Sequence, residues 1–180
     1  MRDFETKNLK IRKFRMEDVE DVHKNLATEK ELAECLGYNI HKTMHETEVM
    51  VASLIKEYEM NELIWAIEDK AESEVIGFIN AFERSDINKV CKFKFGISLN
   101  KVYSGYMEEA LKVVIDYLLN EKKFDVLISE FYDGHKKLTQ IKCDILENVG
   151  MFKEAVLHNR KINSKTGLAE NKIIYSIFRK

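Results

Sequence analysis

The chain has 180 residues, of which 29 are basic and 31 acidic, so its formal net charge is -2. A chain of this length builds a core of its own, and an apolar content of 45% is typical of a globular protein. The near balance of charge argues against a dedicated nucleic-acid binder, which carries a strong basic excess. We therefore expect one domain over residues 1–180 and no nucleic-acid partner.

The chain contains three widely spaced cysteines and no C-x-x-C pair: Cys35, Cys91 and Cys143. An odd number of thiols, together with a charged N-terminus that lacks an apolar run, predicts a reduced protein of the cytoplasm. The most apolar helix-like stretch, residues 110–119, is interrupted by Lys112 and Asp116. It is too short and too polar to span a bilayer, so we expect no membrane partner.

The first third of the chain predicts one strand followed by helices. Residues 8–14 alternate imperfectly between apolar and polar side chains, as in a strand, and the next residues carry apolar side chains at helical spacing. T-x-x-E sequences begin at Thr28 and at Thr43. In such a capping box the hydroxyl and the carboxylate accept backbone N–H groups at the start of a helix. The predicted helices span residues 16–27, 28–37 and 43–58.

The middle of the chain changes to the two-residue period of a β-strand. The clearest strand covers residues 90–99, where apolar side chains alternate with Lys92, Lys94, Gly96 and Ser98. The other predicted strands span residues 63–68, 75–82, 124–132, 152–160 and 172–178, and the last two are joined by a turn at 163–167. The other predicted helices span residues 105–122 and 135–149. This order predicts an α/β (α+β) fold with a mixed central sheet of about seven strands flanked by helices.

The junction between the strand that ends near Leu99 and the helix that begins near Gly105 is the first candidate site. The first N–H groups of a helix have no partners inside the helix, and the helix dipole adds positive potential there. Such a junction can bind a phosphate or pyrophosphate, and Gly105 lets the ligand approach the main chain closely. The alternative is that this glycine only relieves an ordinary turn.

Seven segments follow one another in a characteristic order: LKIRKF at 9–14, WAI at 65–67, VIGFI at 75–79, FGISL at 95–99, SGYMEEAL at 104–111, LENVGM at 146–151 and YS at 175–176. In order and spacing they resemble the GNAT superfamily of N-acetyltransferases, in particular the branch that acetylates the N-termini of ribosomal proteins. The resemblance covers nearly the whole chain. It implies the GNAT fold, whose sheet splays between its fourth and fifth strands, here the strands predicted at 90–99 and 124–132.

The resemblance implies an acetyl-CoA-dependent N-acetyltransferase whose acceptor is a primary amine of a small molecule or of a protein N-terminus. Acetyl-CoA is then a co-substrate. The five histidines show no ligand-like clustering, so we expect no metal site. A homodimer through the terminal strands is a further expectation from the family.

By the same resemblance, the end of the fourth strand contacts the pantetheine arm and the loop after it holds the pyrophosphate. The residues implied to bind acetyl-CoA are Ile97, Ser98 and Leu99 on the strand, Val102, Tyr103, Ser104, Gly105, Tyr106 and Met107 in the loop, and Thr139 and Lys142 on the next helix. The last two stand where the family usually has asparagine and serine. Lys142 could meet the 3′-phosphate of CoA, and the alternative is a solvated helix face.

Several positions depart from the family pattern. Of three characteristic loop positions only Gly105 is kept, and a carboxylate common on the fourth strand is replaced by Lys94. The catalytic candidates lie on one side of the fifth strand near its end, with Glu130 as base and Tyr132 as proton donor. The alternative is that both are rim residues of the sheet. The second interpretation of the chain is therefore a catalytically impaired GNAT-fold protein that binds a ligand or partner.

Overall fold

Eight strands of the described residues form one mixed sheet. The computed structural model describes residues 1–60, 62–85, 87–163 and 166–180, with Glu83 given by its backbone alone. The strands are β1 (Phe4–Glu5), β2 (Leu9–Arg12), β3 (Leu63–Asp69), β4 (Glu74–Ser85), β5 (Val90–Ile97), β6 (Val126–Tyr132), β7 (Phe152–Ile162) and β8 (Ala169–Phe178). They lie in the order β1-β2-β3-β4-β5-β6-β8-β7. The predicted count of about seven was one short, because the two-residue β1 is too brief to show a period.

Helices of the described residues flank this sheet. They are α1 (Val19–Val22), α2 (Lys30–Leu36), α3 (Met44–Glu57), α4 (Tyr106–Asp116) and α5 (Lys136–Asn148). Helices α1 and α4 each continue into a wider π-helical turn, at His23–Ala27 and at Tyr117–Glu121. The helices predicted at 16–27 and 105–122 therefore exist, but their winding changes along their length. Among the described residues no helix is both long and apolar enough to cross a membrane.

The two predicted capping boxes have different outcomes. At the start of α3 the Thr43 hydroxyl accepts the Glu46 N–H at 3.3 Å, and the Glu46 carboxylate accepts the Thr43 N–H at 3.1 Å, as predicted. At Thr28 the prediction is wrong, because the hydroxyl donates to the carbonyl of His23 at 3.0 Å and α2 begins only at Lys30. A threonine that can reach a carbonyl of the preceding turn is satisfied there and does not cap the next helix.

The C-terminal strands extend the sheet on one side. Strand β8 lies between β6 and β7 and is antiparallel to both. Both β7 and β8 are longer than the predicted ranges 152–160 and 172–178. In the turn predicted at 163–167, Ser164 and Lys165 lie outside the described residues.

A fork opens between β5 and β6. These strands are parallel and pair at Val90 with Val126, Cys91 with Leu127 and Lys92 with Ile128. Within the described residues no pairing continues beyond Lys92, although β5 runs on to Ile97 and β6 to Tyr132. The predicted splay between the fourth and fifth strands is therefore confirmed, with β5 and β6 as those strands.

The two faces of the sheet bury separate apolar clusters. Helices α4 and α5 cover one face, where the core includes Phe93 and Leu111. Helices α1 to α3 cover the other face, where Val22 and Val51 are buried. Since successive side chains of a strand point to opposite faces, Lys94 of β5 projects towards α1 to α3. The fork thus gives access to both layers of helices.

Candidate active site

A narrow slot lies in the fork between β5 and β6. Its walls come from β5, the following loop, α2 and α5: Leu32, Cys35, Phe95, Gly96, Ile97, Leu99, Val102, Leu138, Ile141, Lys142 and Ile145. Along this slot the edge of β5 faces no neighbouring strand of the described residues. Free N–H and C=O groups at a strand edge can bind an extended ligand through main-chain hydrogen bonds. Three of the predicted cofactor-binding residues, Ile97, Leu99 and Val102, therefore lie on one continuous wall.

The loop after β5 leads directly to the N-terminus of α4. The Ser98 N–H donates to the carbonyl of Ile76 at 2.7 Å, which continues the alignment of this segment with β4. Gly105 caps the helix with φ +77°, in the left-handed region that favours glycine, and open space surrounds the position where a side chain would begin. The Ser104 hydroxyl already accepts the Tyr106 N–H at 3.2 Å. Since the Glu109 N–H donates to the Gly105 carbonyl at 3.0 Å, the first-turn amides of Met107 and Glu108 are the ones that stay available to an anion.

One side-chain cation next to this loop, Lys101, is already engaged. Lys101 donates to Asp69 at 3.0 Å and contacts Glu72 at 2.8 Å, and these hydrogen bonds raise the pKa of its ammonium. Glu109, in the first turn of α4, accepts two hydrogen bonds from Asn8, at 2.9 and 2.8 Å. Lys7 and Lys112 line the same surface groove as Gly105, so an anion bound there has these cations nearby as well as the backbone amides and the dipole of α4. Tyr103, also predicted to bind the cofactor, is 76% exposed at the tip of the loop.

Of the two predicted residues on α5, Lys142 lines the slot and Thr139 does not. Thr139 is 9% exposed, and its hydroxyl is buried without a hydrogen-bond partner among the described residues. The Lys142 ammonium lies 5.8 Å from the centre of the Phe95 ring and 5.3 Å from that of Phe131. Burial lowers the pKa of Lys142, and the Cys35 thiol opposes that effect. Lys142 therefore does not lie on a solvated helix face, which was one of the two interpretations of the sequence.

Glu130 and Tyr132 lie on the face of β6 opposite to Phe131, within a group of lysines. The Glu130 carboxylate accepts from Lys172 at 2.9 Å and from Lys92 at 3.4 Å. Burial alone raises the pKa of Glu130, but these two lysines outweigh it and the net pKa is lowered. The Tyr132 ring has the ammonium groups of Lys161 and Lys172 at 5.1 and 5.7 Å from its centre. Glu130 is thus firmly ionised and a weak proton acceptor.

A second cavity, of about 180 Å³, lies between the sheet and helices α1 to α3. Its lining is Phe14, Val22, Leu26, Ala27, Tyr38, Met50, Leu54, Ile64, Phe78, Asn80 and Lys94. The Asn80 side-chain oxygen is buried and has no hydrogen-bond partner among the described residues. A methyl group at Gly96 would lie 2.7 Å from Phe78 and 2.9 Å from Leu36, so these two side chains separate the cavity from the slot. The sequence interpretation missed this cavity, because its walls come from separate segments with no shared local pattern.

No group of three or more metal-ligating side chains occurs among the described residues. The titratable groups that line the slot are the Lys142 amine and the Cys35 thiol, which is free like Cys91 and Cys143.

A family model described as an acetyltransferase (GNAT) domain matches residues 8–151. No curated protein matches the chain in sequence at a significant level. The fold is similar to ribosomal-protein-S5-alanine acetyltransferase from Vibrio fischeri, at 16% identity over 100% of this chain and 98% of that one, with a TM-score of 0.82. It is also similar to a GNAT-family acetyltransferase from Bacillus anthracis, at 17% identity over 99% of both chains and a TM-score of 0.78.

A third similar structure is spermidine N-acetyltransferase from Vibrio cholerae in complex with CoA and spermine, at 17% identity over 97% of both chains and a TM-score of 0.74. Identities this low show a shared fold and leave the acceptor of this chain open. The family match, however, extends across the fork, the loop after β5 and the whole of α5. The chain therefore belongs to the GNAT family of acetyltransferases.

Proposed function

We propose that this protein is an acetyl-CoA-dependent N-acetyltransferase that transfers the acetyl group to a primary amine. The observation that carries the proposal is the fork, where β5 leaves β6 after Lys92 and its free edge runs into the loop before α4. A strand edge suits the amides of pantetheine, and a helix N-terminus suits a pyrophosphate. The spermidine N-acetyltransferase with a similar fold was solved with CoA, which supports the same use of this fold here.

In this proposal the predicted residues divide the cofactor between them. Ile97, Ser98 and Leu99 hold the pantetheine arm through their backbone. The residues that surround the pyrophosphate are Val102, Tyr103, Ser104 and Gly105 of the loop and Tyr106 and Met107 at the start of α4. The Thr139 hydroxyl is buried and has no hydrogen-bond partner among the described residues, and in this proposal it bonds to the cofactor. A buried polar group left without a partner costs about 1–3 kcal/mol.

The transfer itself needs a neutral amine. Its lone pair attacks the thioester carbonyl, the tetrahedral intermediate collapses, and the CoA thiolate leaves with a proton. We assign Glu130 as the proton acceptor and Tyr132 as the donor. Because Lys172 and Lys92 lower the pKa of Glu130, it accepts a proton weakly, and the amine must arrive largely neutral.

The test of this proposal is calorimetric titration of the full chain with CoA and with acetyl-CoA, followed by assay of thiol release with a panel of primary amines. We expect a Kd near the micromolar range, which corresponds to about 8 kcal/mol, and thiol release that depends on the amine. No heat with either ligand at several temperatures would contradict the proposal.

A second candidate function is the non-catalytic binding module. Two observations favour it. The Lys142 ammonium lies in the slot, and the negative charge of Glu130 is paired with two lysines. This function predicts that acetyl-CoA is bound without amine-dependent thiol release, or is not bound at all. The same titration and assay therefore distinguish the two functions.

We also propose a reducing compartment, the cytoplasm, as the place of action. Cys91 and Cys143 are buried free thiols, and Cys35 lines the slot beside Lys142. An oxidised Cys35 would place a bulkier group where the thioester is expected. Reduced thiols are the normal state of cytoplasmic proteins.

The apolar cavity is the proposed site of the acceptor. It adjoins the slot through Phe78 and Gly96, and of the described residues that line it only Lys94 carries a charge. A polyamine would bring further positive charge into an apolar space beside Lys94, which is costly. An amine with an apolar body and a hydrogen-bond donor for Asn80 fits this lining.

We therefore expect kcat/KM for L-phenylalaninamide to exceed that for spermidine by at least about tenfold. Lys94→Glu should narrow this ratio, because it replaces the repelling charge with an attracting one. Lys56→Glu, at an exposed position of α3, makes the same charge change away from the cavity and should leave the ratio unaltered. Steady-state kinetics with both amines measures this ratio of kcat/KM values. A preference for spermidine in the parent protein would show that the acceptor binds outside the apolar cavity.

A further inference from the structure

The amine of Lys142 lies between the two arms of the fork. Phe95 belongs to β5 and Phe131 to β6, and the ammonium is 5.8 and 5.3 Å from the centres of their rings. Both aromatic residues are buried, at 3% and 6% exposure. The Lys142 side chain therefore reaches from α5, which covers one face of the sheet, to the gap between β5 and β6.

Among the described residues, the groups around the Lys142 ammonium in the slot are mostly apolar. From α2 it meets the Cys35 thiol, from β5 and β6 it meets aromatic rings, and its neighbours on α5 are Leu138, Ile141 and Ile145. The contacts with the rings each stabilise a cation by about 0.5–2 kcal/mol. Desolvation works in the opposite direction and lowers the pKa of Lys142. A larger fraction of this amine is therefore neutral near neutral pH than for a lysine in solvent.

We propose that Lys142 is a self-acetylation site, which takes the acetyl group from acetyl-CoA bound in the same slot. This inference rests on the proposed function, because it requires the thioester to enter the fork. The geometry points to it: Lys142 and the free edge of β5 line one slot, so a thioester lying along β5 has the Lys142 amine as its neighbour.

The step balances without any further reactant. The Lys142 ammonium first loses a proton to solvent, and the nitrogen lone pair forms a bond to the thioester carbonyl carbon. The carbon–sulfur bond then breaks, the thiolate of CoA leaves, and the second nitrogen proton ends on that sulfur. The products are N-acetyl-lysine and CoA with a free thiol, and nothing is oxidised or reduced.

Enclosure makes this reaction selective for one lysine. A nucleophile held beside a bound thioester reacts as part of the same complex, whereas an exposed lysine must meet acetyl-CoA by diffusion. Lys137, on the same helix, is exposed and serves as the matched comparison. We expect Lys142 to be labelled at least about tenfold faster than Lys137.

The test is incubation of the full chain with acetyl-CoA that carries a heavy-isotope acetyl group, followed by intact-mass measurement and peptide mapping. The isotope separates new labelling from acetylation acquired during expression. We expect one heavy acetyl group per chain, located on Lys142. Lys142→Arg should abolish the heavy acetyl label, and Lys137→Arg should leave the labelling of Lys142 unchanged. Thermal melting should show that both variants are folded.

The dependence on pH provides a second readout. Since burial lowers the pKa of Lys142 and the Cys35 thiol partly opposes this, labelling of Lys142 should reach its plateau at a lower pH than labelling of Lys137. A parallel titration with CoA separates the two levels of the argument. Absence of CoA binding overturns the proposed function and this inference together. Binding of CoA without labelling of Lys142, or with labelling spread over exposed lysines, overturns the inference alone.

Discussion

Replacing Arg12 with leucine should cost about 3–5 kcal/mol in the free energy of unfolding. Arg12 is 7% exposed and donates two hydrogen bonds to Asp18, both at 2.8 Å, and one to Glu68 at 2.7 Å. The substitution leaves the buried Asp18 carboxylate without its cation, and it leaves Glu68 with Lys10 alone, at 3.1 Å. A chain of this size has a total stability of only about 5–15 kcal/mol, so the loss is a large share of it.

Urea unfolding at about pH 7 measures this effect, with Arg2→Leu as the control. Arg2 pairs with Glu121 at the surface, where both side chains are about half exposed, and its loss should cost less than about 1 kcal/mol. Equal destabilisation by the two variants would contradict a structural role for the buried cluster.

The loss of stability caused by Arg12→Leu should depend on pH. Burial alone raises the pKa of Glu68, but hydrogen bonds from Arg12 and Lys10 outweigh it, so the folded pKa lies below the ordinary value of 4.5. A lowered carboxyl pKa stabilises the fold above the unfolded value, and this contribution is lost as pH falls through the folded value. The difference between parent and Arg12→Leu should therefore be largest near neutral pH and shrink as the pH falls below 4.5. A difference that stays constant into acid would show that Glu68 does not contribute.

Gly105→Asn should weaken CoA binding by at least about tenfold, or about 1.4 kcal/mol. The added side chain begins in open space at the N-terminus of α4, where the pyrophosphate is proposed to lie. Asparagine is chosen because it tolerates positive φ better than other residues with a side chain, so the backbone at φ +77° changes little. Calorimetric titration with CoA gives the affinity, and thermal melting gives the stability.

Gly167→Asn is the matched control for that loop variant. Gly167 has φ +69° and equally open surroundings, but lies in the turn between β7 and β8. Both variants should lose similar stability, and only Gly105→Asn should lose affinity for CoA. If both bind CoA as the parent does, the pyrophosphate is not held at this loop.

The strand β5 shows what local pattern can determine. Its period-two alternation predicts that Phe93 and Phe95 face the core and that Lys92 and Lys94 face the other way, and the structure agrees. The alternation is a property of the strand itself, because successive side chains must point to opposite faces. The resemblance to the GNAT superfamily, built from such segments in order, was confirmed by the family match over residues 8–151.

Identical local motifs can still behave differently. Thr28 and Thr43 both begin a T-x-x-E sequence, and only Thr43 caps a helix. The difference is the π-helical turn before Thr28, which places the carbonyl of His23 within reach of the hydroxyl. A motif of four residues contains no information about how the preceding turn is wound.

The sequence by itself determined the order of helices and strands, the family and the position of the loop at Gly105, because these depend on residues that are close together along the chain. Only the tertiary structure decided where Lys142 points, what surrounds Glu130 and that an apolar cavity adjoins Gly96. The divergence of β5 from β6 and the packing of α2 and α5 against the gap set the position of Lys142. Lys92 of β5 and Lys172 of β8 surround Glu130, and helices α1 and α3 enclose the cavity. Such contacts join segments that are distant in sequence, so their chemistry appears only when the sheet has assembled.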